Sequence, residues 1–142
     1  MIEIDASELC DALEDHNGGV HYHLDRQTGE LLRMSEYVES DEEIQEMTDR
    51  MDEEPGRWVE IEPLESSDSF RIMEDFAAGL PVCEQKRTLQ RALTWKKPFS
   101  NFKQALYEMP ELKQQWHAFH DERIRKVAEA WLAAEGIAAK LK

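Results

Sequence analysis

The last third of the chain holds its longest amphipathic stripe, and that stripe constrains the fold more than any other feature. After Pro110, the residues Leu112, Trp116, Phe119, Ile124, Val127, Trp131 and Leu132 recur close to the helical period up to Gly136. A helix of this length carries too much apolar surface to stand alone, so it is expected to form the spine of the core. Upstream of it the same period predicts three shorter helices. Phe70, Met73, Phe76, Ala77 and Leu80 form one face after the Ser66/Ser67/Asp68 cluster. Leu89, Ala92 and Leu93 form a second between Val82 and Thr94. Phe99, Phe102, Ala105 and Leu106 form a third behind Pro98, which suits a first helical turn.

The period changes toward the N-terminus. Ser7 is read as the cap of a short helix carrying Leu9, Cys10 and Leu13, ended by Asn17-Gly18-Gly19. Val20, Tyr22 and Leu24 then alternate with His21, His23 and Asp25, and Leu31, Leu32 and Met34 follow the Gly-containing turn Arg26 to Glu30. This predicts a β-hairpin with one face buried and a histidine face toward solvent. Ile44, Met47 and Met51 give the charged stretch 40–54 a narrow helical stripe, a peripheral helix, and the run from Arg57 through Glu62 reads as a third strand ended by Pro63. The expected class is therefore α+β, a small antiparallel sheet packed against about four C-terminal helices. With 142 residues the chain is expected to be one domain over 1–142, acidic in about 1–65 and basic and helical in about 66–142.

Charge divides the chain unevenly. Residues 1–84 hold 25 acids and 5 basic residues, whereas 85–142 hold 12 basic residues and 6 acids, for a net −14. Such an imbalance is read first as an attraction between the two parts of the chain; after it comes a basic protein partner for the acidic part, with nucleic acid below, because the whole chain repels polyanions. Cys10 and Cys83 are far apart with no CxxC spacing, which suits a reducing compartment. The opening MIEIDASELCDALED has acids where a signal peptide needs basic and apolar residues, and no apolar run reaches membrane-spanning length. A cytoplasmic protein with its mature start near Met1, and no membrane partner, is the expectation.

Four segments, the hairpin with DRQTGEL, RWVEIEPLESSDSFRIMEDF, PFSNFKQAL and ELKQQWHAFHDERIRKVAEAWL, resemble an uncharacterised, placeholder-named family of small acidic bacterial proteins. The resemblance covers most of 20–132 and implies a stand-alone domain. It implies no activity and carries over no functional residue.

Several constellations hold candidate chemistry. His21 and His23 share a strand face with Asp25, the i, i+2 arrangement that some metal sites use when a third ligand arrives from elsewhere. His117, His120 and Asp121 share one side of the last helix, and with Glu74 they would form the site of a metal-dependent phosphoester hydrolase. Arg123 or Arg125 is the expected structural partner of Glu74 or Asp75. Lys96, Lys97 and Lys103 interleave with Phe99 and Phe102, the ingredients of a single-stranded nucleic-acid binder, although the aromatic spacing also suits core packing. Arg123 completes the basic binding candidates. GxGxxG, GxxxxGK, GxSxG and HExxH are all absent, so no cofactor is expected and no catalytic set is complete. The favoured reading is a non-catalytic protein-binding or regulatory domain.

Overall fold

In a computed structural model, all residues 1–142 are described, and the class is α+β. The elements are β1 (Ile2–Ile4), α1 (Ala6–Glu14), β2 (Val20–Asp25), β3 (Leu31–Ser35), α2 (Asp41–Asp52), β4 (Trp58–Ile61), α3 (Ser66–Ala78), α4 (Glu84–Thr94), α5 (Pro98–Tyr107), α6 (Pro110–Ala134) and β5 (Ala139–Leu141). They group into two compact units. The first comprises Met1–Pro63 and Arg125–Lys142, and the second Leu64–Ile124, so the division falls inside α6.

The first unit is built on the antiparallel sheet β3-β2-β4 and a parallel pair, β1-β5. Leu24 lies opposite Leu31 on one side and Val59 on the other, and Tyr22 lies opposite Ile61. These side chains share one face and join Ile4, Leu9, Ala12, Leu13, Ala128 and Leu132 in an apolar core. Helices α1 and the last turns of α6 supply its helical walls. The pair β1-β5 was not legible in the sequence, because three-residue strands carry almost no periodicity. It is fixed by Lys142 N–H donating to the Ile4 carbonyl at 2.9 Å, and the Lys142 ammonium meets Glu3 at 2.7 Å.

Two local readings are corrected. Helix α1 is capped by Asp5, whose carboxylate accepts from Glu8 N–H at 3.0 Å, rather than by Ser7. It ends at Glu14, with Asp15 extended, and neither Gly18 nor Gly19 has a positive φ. Asp15 and Asn17 side chains turn the chain instead, accepting from Asn17 N–H and Gly19 N–H. A Cβ at Gly19 would meet the far edge of the Tyr37 ring at 2.6 Å, so that exposed side chain would have to swing aside.

The second unit packs α3, α4, α5 and the first half of α6 around Met73, Phe76, Leu89, Leu93, Phe102, Leu106 and Leu112. Trp116 is held between Phe76 and Phe102, edge-on to each, with centroids at 5.4 and 5.0 Å. Helix α4 starts at Glu84 rather than Val82, which is 81% exposed. Pro98 opens α5 as expected, and the preceding Lys97 takes the left-handed conformation at φ 57°.

Gly29 in the hairpin turn has φ 83°, and a Cβ there would run into the backbone carbonyl of Glu3. Left-handed strain and a backbone clash act together at this position. Gly29→Ala is expected to lose at least about 2 kcal/mol of stability. Gly18→Ala, facing open space, should leave the denaturation midpoint almost unchanged.

Candidate functional site

The outer face of the sheet, predicted to be a solvent-facing histidine face, is partly roofed. His21, His23, Met34, Trp58 and Glu60 lie on it by register. A cleft of about 440 Å³ lies between this face and α2, lined by His23, Met34, Thr48, Met51, Asp52, Glu54, Trp58 and Glu60 among others. Helix α2 forms because Ser40 and Glu43 make a reciprocal capping box and Asp41, Glu42 and Glu43 favour the positive helix start. Ile44, Met47 and Met51 are half-buried along its inner side, as the sequence predicts, yet no residue of α2 is fully buried. The helix therefore presents a dense acidic outer surface.

His23 Nδ1 is buried without a hydrogen-bond partner. Burial holds the imidazole below its ordinary pKa, against the attraction of Glu60 and helped by the proximity of His21. His21 reaches Glu60 at 3.6 Å, with both side chains about half exposed. Asp25 shares the histidine face by register, as the alternation predicts, but it is 1% exposed and fully paired. Its carboxylate accepts from Arg57 Nε at 3.0 Å, Arg57 Nη2 at 2.7 Å and Gln27 N–H at 2.9 Å. The Arg57 hydrogen bonds outweigh burial and hold the Asp25 carboxyl down at about 2. Two strand-end charges separated by 32 positions gave no signal in the sequence.

In the second unit, Asp75 binds Arg123 at 2.7 Å, and the guanidinium also lies over Phe119 at 5.6 Å. The expected ion pair is thus found, with Arg123 and not Arg125 as the partner. Glu74 is exposed and lines a cleft of about 530 Å³ with Phe70, Arg71, Asp75 and Gln90. That cleft is lined by none of the three α6 residues proposed to act with it. His117 is exposed, and His120 meets the neighbouring Asp121 at 3.4 Å while its ring lies 5.2 Å from Trp116. No three His, Cys, Asp or Glu side chains converge in an arrangement that would hold a metal ion.

Lys96, Lys97 and Lys103 are exposed. Phe102 is fully buried and Phe99 is 37% exposed, edge-on to Phe70 at 6.3 Å, so these two aromatics serve packing. Trp95, which sequence spacing did not single out, stands just before these lysines and is 72% exposed.

A family model described as uncharacterised protein family UPF0158 matches residues 1–141. The chain belongs to this family. Among its relatives, the Pseudomonas aeruginosa UPF0158 protein PA5073 is 36% identical over 129 residues, covering 91% of this chain and 80% of the relative. No solved structure matches. The description of UPF0158 names no activity, so membership bears out the resemblance without transferring a functional residue.

Stability should carry two pH signatures. The Asp25 carboxyl is depressed in the folded state, so its contribution is present above its ordinary 3.8 and is lost as pH falls toward about 2. His23 is depressed below 6.5, so the unfolded chain binds its proton first and stability falls as pH drops below 6.5. His23→Gln should flatten that decline in urea titrations at successive pH values, and an unchanged decline would show that another group causes it. Arg57→Met should destabilise more than Asp25→Asn, because the stripped Asp25 carboxylate cannot reach water while Arg57 is a quarter exposed.

Proposed function

We propose that this UPF0158 chain is a non-catalytic, cytoplasmic binding or regulatory domain whose first unit engages a protein partner with a basic surface. The exposed pair Tyr37-Val38 carries this reading. These side chains are 74% and 73% exposed in the turn between β3 and α2. Glu36 and Glu39 flank them, and the acidic start of α2 follows directly. A tyrosine and a valine bared amid carboxylates supply apolar contact area inside a strongly negative field, which a lysine- or arginine-rich surface complements. The charge of the unit supports the same partner. Its residues hold 22 acids against 8 basic residues, so it accounts for the whole net charge of −14. Neither Cys10 nor Cys83 forms a disulfide, which supports the reducing compartment, and no helix is long and apolar enough to cross a membrane.

The phosphoester-hydrolase reading ranks second. Asp75 is committed to Arg123, and the cleft bearing Glu74 is not lined by His117, His120 or Asp121.

Titration calorimetry with protamine, an arginine-rich polypeptide, tests the proposal. The double variant Tyr37→Ser/Val38→Ser, which keeps every charge, is expected to bind about tenfold more weakly at physiological salt, the cost of losing about 1.4 kcal/mol of contact. Equal affinity for the two proteins, both folded, would leave only a diffuse attraction and sink the proposed surface.

A further inference from the structure

Within the second unit the acidic and basic residues are equal in number, but they are not mixed. Residues 85–107, from the first turn of α4 to the end of α5, contain six cations and no acid. In a chain with 31 acids among 142 residues, such a gap concentrates positive charge on one helical hairpin. Arg87 is drawn toward Glu84 at 3.6 Å. Arg91, Lys96, Lys97 and Lys103 have no carboxylate partner, in contrast to Arg57 and Arg123.

Trp95 stands at the joint of this hairpin. It follows Thr94, the last residue of α4, and is 72% exposed, although an indole of this size normally loses most of its surface on folding. It forms one wall of an open cleft of about 310 Å³, with Arg91 and Ala92 from α4 and Asn101 and Ala105 from α5. The joint is braced rather than loose. Asn101 Nδ2 donates to the Lys96 carbonyl at 2.7 Å, and Lys97, held left-handed at φ 57°, closes the turn, with both lysines following the tryptophan directly in the chain.

We propose that the α4–α5 joint is a binding site for a short single-stranded nucleic acid, with Trp95 as the stacking platform for one base. Arg91, Lys96, Lys97 and Lys103 attract the flanking phosphates. An unpaired cationic cluster supplies sequence-independent attraction, and an exposed aromatic supplies the base contact that sulfate-like or carboxylate polyanions cannot use. A single strand fits better than a duplex, because the indole face needs a base that is free to leave its stack. The site lies in a different unit from the acidic surface and does not depend on it.

Fluorescence anisotropy of labelled oligothymidine of about twelve nucleotides, titrated with the full chain at low salt, tests this. Trp95→Ala is expected to weaken binding by about tenfold and Trp95→Phe to retain most of it. Lys96→Glu/Lys97→Glu should abolish binding. The affinity should fall with salt at a log–log slope of about −2 to −3, which corresponds to three or four phosphates. All these residues are exposed, in the turn or on a helix, and unchanged melting of each variant confirms its fold. No binding at low salt, indifference to Trp95→Ala, or equal affinity for duplex DNA or polyglutamate would each overturn the proposal. Protamine binding by the first unit should be the same in all these variants, so the two proposals fail separately.

Discussion

The first unit depends on the buried carboxylate of Asp25. A carboxylate at 1% exposure is tolerated only when its lone pairs are filled, and here Arg57 and Gln27 N–H fill them. Each of these bonds also fixes geometry. Arg57 immediately precedes β4, so the ion pair sets where the third strand begins, and Arg26 N–H donating to the Arg57 carbonyl at 2.8 Å repeats the constraint in the backbone. Gln27 lies in the turn that joins β2 to β3, and Gly29 N–H closes that turn on the Asp25 carbonyl at 2.8 Å. Arg26 carries the tie further, to the carboxylate and carbonyl of Glu135 just after α6. Replacing the pair by apolar residues would keep the volume but lose this registration, which is the specificity role for which buried charges are best attested.

Those residues show where sequence reasoning worked and where it stopped. The hairpin, the third strand and the four C-terminal helices were legible because each carries several turns or alternations of apolar spacing. Asp25 was assigned to a polar face because period two places it beside His21 and His23, and parity was right about the face. Parity is silent on what covers that face. The roof is α2, whose Ile44, Met47 and Met51 were recognised as a stripe without a destination. The pair β1-β5 had no signal, since three residues cannot display a period and the partners stand at opposite ends of the chain. For the proposed nucleic-acid site the ingredients were visible as Lys96, Lys97 and Lys103, but the wrong aromatics were attached to them. Phe102 follows helical spacing into the core, whereas Trp95 sits between two helices, where no period predicts its direction.

Charge was misallocated for a related reason. A cut in the sequence assigns a surplus of cations to everything after residue 84, but folding does not respect that cut. The segment Arg125–Lys142 joins the acidic first unit and brings Arg125, Lys126, Lys140 and Lys142 with it. The second unit is left with equal numbers of both signs, and its basic character contracts to the α4–α5 hairpin. An attraction that looks like one between halves of the chain thus resolves into specific contacts such as Lys142 to Glu3, together with one cationic hairpin that has no acid beyond Glu84 at its start.

Helix α2 is the element whose stability is least explained by packing. It buries no residue completely, and like charges crowd its outer surface, so its formation relies on the capping box and a half-buried stripe of one isoleucine and two methionines. Elements of this kind open at lower free energy than the core they cover. What α2 covers includes the orphaned Nδ1 of His23, a group that would gain a water partner if the helix lifted. The same acids that weaken α2 in isolation would be neutralised by a basic partner lying along it. Binding there would relieve repulsion within the helix as well as add contacts across the interface, so the helix would be most stable in the bound state. A marginal acidic helix beside exposed Tyr37 and Val38 thus adds little to the unit's own stability, and under the proposed function its acids would be neutralised where the partner binds.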